Sequence, residues 1–255
     1  MKEMRRQIVL TAANAGQGHI ASALSILDIL WVLYDQVLRY DPKDPRSDDR
    51  DRLILSKGHA ALALYVVLAA KGFFPVSELE RFDAYDSILG GHPDPSKVPG
   101  VEAPSGSLGH GLSLGVGMAM GMRNRNVNRR VYVLVGDGEC NEGSIWESVL
   151  LAAHHRLDNL VCIVDHNHSG DRALVLGDLA AKFRAFGWIA GTVNGHNQRQ
   201  LYQAMKVPIG GHSRPTAIIA KTVKGYGCKR MENNPAWHYG APTQDELPAI
   251  LEELA

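Results

Sequence analysis

Cysteine is nearly missing from this chain: Cys140, Cys162 and Cys228 are the only three in 255 residues. Odd in number and scattered, they exclude a disulfide framework, give no zinc signature, and fit a reducing cytoplasm. Excess charge is missing too. With 27 basic and 27 acidic residues the formal net charge is zero, which offers no footprint for nucleic acid or an anionic membrane. No apolar run reaches the ~18 residues of a membrane span, and the start Met1-Lys-Glu-Met-Arg-Arg6 is no signal peptide. What remains is 45% hydrophobic and 21% charged, the composition of a globular protein. The length suits one large α/β domain or two small ones.

Against that background two apolar, β-branched runs stand out. Val131-Tyr-Val-Leu-Val135 stops at Gly136-Asp-Gly138, and Leu160-Val-Cys-Ile-Val164 stops at Asp165-His-Asn167. Buried parallel strands meet their carboxyl-end loops in this abrupt way. Gly143 to Arg156 is long enough for one crossover helix between them. A right-handed strand–helix–strand unit brings both loops to one sheet edge, where open α/β sheets bind ligands. The Asp137 carboxylate and Asn167 carboxamide would then converge as hard oxygen donors, suited to magnesium and the phosphates it bridges. Gly136 and Gly138 allow close approach of an anion, and the N-terminus of the following helix favours negative charge.

The rest of the chain alternates helices with polar loops. Residues 3 to 38 read as two helices broken at Asn14-Ala-Gly-Gln-Gly-His19, and Asp41 to Arg52 as a solvated, proline-broken linker. Leu53-Ile-Leu55 is a short strand leading through Ser56-Lys-Gly-His59 into a helix over Ala60 to Ala70. Pro75 to Arg81 gives a small helix. Trp188 to Thr192 reads as a strand, Asn197 onward as a helix, and Arg214 onward as the last strand with its exit loop. Two motifs mislead. Gly115 to Gly121 is not GxGxxG and follows no strand, which argues against a nicotinamide fingerprint. Gly111-Leu-Ser-Leu-Gly115 satisfies GxSxG, but a glycine-rich loop precedes Ser113 where a nucleophile elbow needs a strand.

Gly136-Asp137-Gly138, then 26 residues, then Asp165-His166-Asn167 resembles the diphosphate signature of thiamine diphosphate enzymes. Gly136-Asp-Gly-Glu-Cys-Asn-Glu-Gly143 is similar to its transketolase form. Ser56-Lys-Gly-His59, Gly90-Gly-His-Pro93, Glu102 to Gly111, Lys182 to Trp188, Val193-Asn-Gly-His196, Arg214 to Gly227 and His238-Tyr-Gly-Ala-Pro242 resemble further transketolase segments, in family order. The resemblance implies an α/β, thiamine-diphosphate-binding fold: a mostly parallel central sheet flanked by helices on both faces. It implies one diphosphate-type domain over residues 1–255, with the pyrimidine-binding domain absent. By the same resemblance His19, His59 and His92 are catalytic. His59, Gly106, Leu108, Asp137, Gly138, Glu142, Asn167 and His238 would contact thiamine diphosphate. Asp137, Asn167 and the Ser169 carbonyl would hold Mg2+.

The sequence departs from that pattern in places. Ser107 stands for a proline and His110 for a glutamine. Aligned on Gly-Ala-Pro, Tyr239 rather than His238 takes the place of a diphosphate-contacting histidine. After Asn167 the loop is shorter, and Asp171 stands where an apolar prop for the cofactor is expected, leaving Leu174 or a partner residue to replace it. The implied activity is transfer of a two-carbon ketol unit from a ketose phosphate to an acceptor. The implied partner is a pyrimidine-binding, C-terminal transketolase subunit in a two-plus-two heterotetramer. Two alternatives stay open: passage of the unit to a lipoyl or carrier-protein thiol, and a non-catalytic regulatory subunit.

Overall fold

The computed structural model describes residues 1–206 and 213–254; Ala255, the end of the expected domain, lies outside them. Five strands form one parallel sheet in the order β1-β2-β3-β5-β4. These are β1 (Arg52–Leu55), β2 (Val131–Gly136), β3 (Leu160–His166), β4 (Ile189–Asn194) and β5 (Thr216–Lys221). The helices are α1 (Lys2–Ala15), α2 (Ile20–Val32), α3 (Ala61–Ala70), α4 (Gly111–Asn124), α5 (Gly143–His154), α6 (Leu179–Ala185), α7 (Gln198–Met205) and α8 (Leu247–Glu253).

Alternate residues of each central strand feed opposite cores. Tyr132, Leu134, Val161, Ile163 and Ile218 pack with α1, α2, α3, α7 and α8, while Val131, Val133, Val135, Cys162 and Ile219 pack with α4, α5 and α6. Burial on both faces is what an unbroken β-branched run requires. Helices therefore flank a parallel sheet on both sides, as the resemblance implies. Every residue of α2 except Trp31 is buried, so this helix is the centre of its layer and apolar nearly all round. Together with the π turn Leu33–Val37 it is long and apolar enough to cross a membrane, yet 78% of the stretch is buried inside the fold.

Register sets the functional edge. Gly136 lies opposite Asp165, and His166 opposite Lys221, so the residues following β1, β2, β3 and β5 come out side by side. Between β2 and α5 a short 3-10 turn, Gly138–Asn141, replaces the direct entry into a long helix. The linker from Asp41 is less solvated than its composition implies. Asp51 is buried and accepts the backbone N–H groups of Arg39 and Arg130. Arg50 is paired with Glu102. Both α6 and α8 are hidden to periodicity because each is seven residues long.

Candidate active site

The carboxyl ends of β1, β2, β3 and β5 enclose a cleft of about 250 Å³. Asp137, Gly138, Asn167, Ser169, His59, Leu108 and His238 line it, along with Lys57, Glu139, Asn141 and Lys224. Asp137 is 6% exposed. Its Oδ1 accepts the N–H groups of Gly138 at 2.7 Å and Gly170 at 3.3 Å, while its buried Oδ2 has no partner. Burial, then the neighbouring Asp165, push its carboxyl above the usual range. An orphaned, desolvated carboxylate oxygen beside a carboxamide and a backbone carbonyl fits a hard divalent cation. The two loops touch: a Cβ on Gly170 would come within 2.7 Å of the Gly138 Cα.

Asp165 organises the floor. It is fully buried and accepts from Lys57, from Thr222, from Ser25 at 2.7 Å and from Asn167 at 2.9 Å. Burial alone raises its carboxyl, but Lys57 and these donors more than reverse that and hold it below the usual range. Through this one carboxylate, Asn167 is held in place by the ends of β1 and β5. Glu139, 1% exposed, accepts from Ser56 and from the N–H groups of Gly109 and Gly136, tying the Leu108 loop to β2. Lys224 leaves β5's exit loop and donates to His238 Nδ1 at 2.8 Å. Burial, with Lys57 next, lowers Lys224 to about 8. Lys57, Asp165, Glu139 and Lys224 carry no assignment from the sequence. Each is readable there only as a charged residue within a few positions of a buried strand's carboxyl end.

His59 also lines a second cavity of about 250 Å³, the histidine chamber, together with His19, His92, Gln17, Asp83 and Tyr239. His19 lies 5.3 Å from His59 and 6.3 Å from His92 between ring centroids. Its position comes from the break between α1 and α2, where Gly18 has φ +153° and a Cβ would meet Leu62 at 2.8 Å. The C-terminal coil docks on that break: Gly240 N–H donates to Gly18 O at 2.9 Å, which brings Tyr239 within 4.8 Å of His19. Burial, with Lys57 next, drives His59 down to about 2, and burial, with His238 next, takes His19 to about 4. Both are neutral imidazoles at physiological pH.

Neighbouring residues thus divide between the cavities: His238 faces the cleft and Tyr239 the chamber. Gly106 and Glu142 do not line the cleft. Gly106 backs the chamber, since a Cβ there would meet His92 at 3.2 Å. Glu142 is exposed at the start of α5. In the altered loop, Asp171 is hydrogen-bonded to His168 Nδ1 at 2.9 Å, turned to a ring that is itself exposed. Leu174 is 55% exposed and Ala173, not Leu174, lines the cleft. Ser113 is an exposed helical residue whose Oγ donates to His110 O, so GxSxG carries no elbow.

A cleft at the carboxyl ends of parallel strands, with two lysines and two carboxylates on its lining and one histidine shared with a polar chamber, lies where open α/β sheets bind ligands. The family described as "Transketolase, thiamine diphosphate binding domain" matches residues 1–254, and the chain belongs to that family. It is 38% identical over 256 residues to an apulose-4-phosphate transketolase subunit of Phocaeicola vulgatus, covering 98% of this chain and 91% of that one. It is 36% identical to the 6-deoxy-6-sulfo-D-fructose transketolase subunit SqwG of Clostridium sp., covering 98% and 93%. The transketolase structure from Campylobacter jejuni superposes with a TM-score of 0.88 at 30% identity, over 99% of this chain and 42% of that one. The chain therefore spans about two fifths of a full-length transketolase and nearly all of the two subunits.

Proposed function

We propose that the chain is the diphosphate-binding subunit of a transketolase-type enzyme that moves a two-carbon ketol unit from a ketose phosphate to an acceptor. The observation that carries this reading is the orphaned Asp137 Oδ2 in a cleft that shares His59 with a chamber of neutral histidines. Asp137, Asn167 and the Ser169 carbonyl would hold Mg2+, and Lys57, Lys224, His59, His238 and the Gly138 backbone would surround the diphosphate. Leu108 would pack against the cofactor ring. When bound, thiamine diphosphate supplies the electron sink for breaking the carbon–carbon bond beside a ketose carbonyl. His19, His59 and His92 hydrogen-bond substrate hydroxyls and move protons at the chamber, and burial keeps the first two neutral, each with one ring nitrogen to donate and one to accept a hydrogen bond.

A partner subunit supplies the pyrimidine-binding surface, in a cytoplasmic assembly of two copies of each chain. The names of the two subunit relatives support a partner. So do Leu114 on α4 and Leu150 and Leu151 on α5, large apolar side chains that stand exposed. Purified alone, the chain is expected to transfer no ketol unit at any concentration of cofactor and magnesium, and to gain activity on mixing with a pyrimidine-binding subunit. Full turnover from this polypeptide by itself would overturn the split-enzyme reading.

A further inference from the structure

The histidine chamber holds a charged group that the reaction outlined above does not use. Asp83 stands on its wall, and it is the only carboxylate among the described residues lining the cavity; no lysine or arginine lines it. The backbone there is left-handed, with φ +58°, a conformation that aspartate and asparagine accept more readily than most residues. Four hydrogen bonds fix this wall. Asp83 N–H donates to Leu89 O at 2.7 Å, and Asp83 Oδ1 accepts from Gly91 N–H at 3.1 Å. Gln17 Nε2 donates to Asp83 Oδ2 at 2.5 Å, and the Tyr239 hydroxyl donates to Gln17 Oε1 at 2.6 Å. The carboxylate of this exposed residue is thus held on the chamber wall by the His92 loop and the α1–α2 break.

Charge is therefore distributed unevenly along the path from cofactor to substrate. In the cleft Lys57 and Lys224 stand beside the carboxylates of Asp137 and Glu139, and His19 and His59 are neutral between. Asp83 is the one carboxylate among the described residues on the chamber's own lining. An anionic group drawn into the chamber meets a like charge at close range, while a hydroxyl finds acceptors in Asp83 and Gln17.

Resting on the transketolase-type reading, we propose that Asp83, braced by Gln17 and Tyr239, is a specificity-determining residue. It admits the uncharged, hydroxyl-bearing end of substrates to the chamber and rejects acceptors that carry an anionic group next to the aldehyde. A sugar phosphate then lies with its phosphate directed out of the chamber, toward the surface a partner completes.

The test uses the assembled two-subunit enzyme, one fixed ketose donor, and two acceptors of matched size: glycolaldehyde, which is neutral, and glyoxylate, whose carboxylate adjoins the aldehyde. Asp83→Asn removes the charge and keeps both the left-handed backbone preference and an acceptor for Gly91 N–H. Asp86→Asn is the control. It removes one charge from an exposed aspartate paired with Arg81 that does not line the chamber. The wild-type enzyme is expected to favour glycolaldehyde. Asp83→Asn should raise the glyoxylate-to-glycolaldehyde ratio of kcat/KM about tenfold, mainly through the KM for glyoxylate. Asp86→Asn should move that ratio less than about twofold. An unchanged ratio in Asp83→Asn, or an equal shift in both variants, would overturn the proposal while leaving the transketolase-type reading intact. An assembly that turns over neither acceptor would remove that reading, and this proposal with it.

Discussion

The cofactor cleft and the histidine chamber share one residue, His59, and differ in almost every other respect. The cleft is cut from the ends of β1, β2, β3 and β5, and its polar floor is a single buried network converging on Asp165. The chamber is assembled from loops: the α1–α2 break, the His92 loop and the C-terminal coil. Lysines and carboxylates share the first, and among the described residues one carboxylate and no lysine or arginine lines the second. The contrast teaches that anchoring and chemistry are built differently here. A diphosphate needs fixed charge on rigid elements, and strand ends supply that. Hydrogen bonding to substrate hydroxyls needs imidazoles kept neutral, and burial, with nearby cations, supplies that.

The largest effect that would break this contrast lies in the cleft. Asp137→Ala removes the one buried carboxylate oxygen without a partner among the described residues. It should weaken thiamine diphosphate binding by the assembled enzyme at least about 100-fold, as titrated by calorimetry in magnesium. The variant should stay folded, because the lost contacts are two backbone N–H groups at a cleft rim. Unaltered cofactor affinity would remove Asp137 from the site. A smaller effect belongs to the chamber. His92→Ala should lower kcat about 100-fold while shifting Tm by less than about 2 °C. Loss of stability in proportion to activity would make His92 a structural histidine and leave the chamber without a catalytic role.

The two regions are also unequally legible in the sequence. Val131 to Gly138 and Leu160 to Asn167 announce the cleft, because a strand buried on both faces must be an apolar run and must end where polarity begins. Asp137, Asn167 and Ser169 follow from that ending plus the family pattern. Lys57 and Lys224 sit in the same kind of place but look like ordinary surface lysines until the sheet register aligns their strands. The chamber is harder. His19, His59 and His92 are readable only through their resemblance to transketolase segments, as nothing local ties residues forty positions apart. Asp83 and Gln17 escape altogether, since their meeting depends on a loop with one left-handed residue and on the docking of Tyr239. Of the two replacements expected for the apolar prop, Leu174 or a partner residue, Leu174 stays outside the cleft for a related reason: after a short helical turn at Gly170–Arg172, Ala173 and not Leu174 lines it.

The finest test of the contrast asks whether the cleft's positive charge is fixed or titratable. Lys224 is lowered to about 8 by burial first and by Lys57 next, with Asp165 and Asp137 pulling the other way. The bound diphosphate adds negative charge beside it, so its pKa must rise on binding. Above pH 8 the free protein then has to take up a proton to bind, and affinity falls as pH increases. A phosphate's last proton leaves near pH 6, so the cofactor's own ionisation adds no opposing slope between pH 7 and 9. Over that interval the cofactor affinity of the assembled enzyme should drop about tenfold. Lys224→Met should lower affinity about tenfold at pH 7 and flatten the dependence above it. A wild-type profile that is already flat from pH 7 to 9 would mean that Lys224 does not reach the diphosphate, leaving Lys57, locked to Asp165, as the cleft's cation.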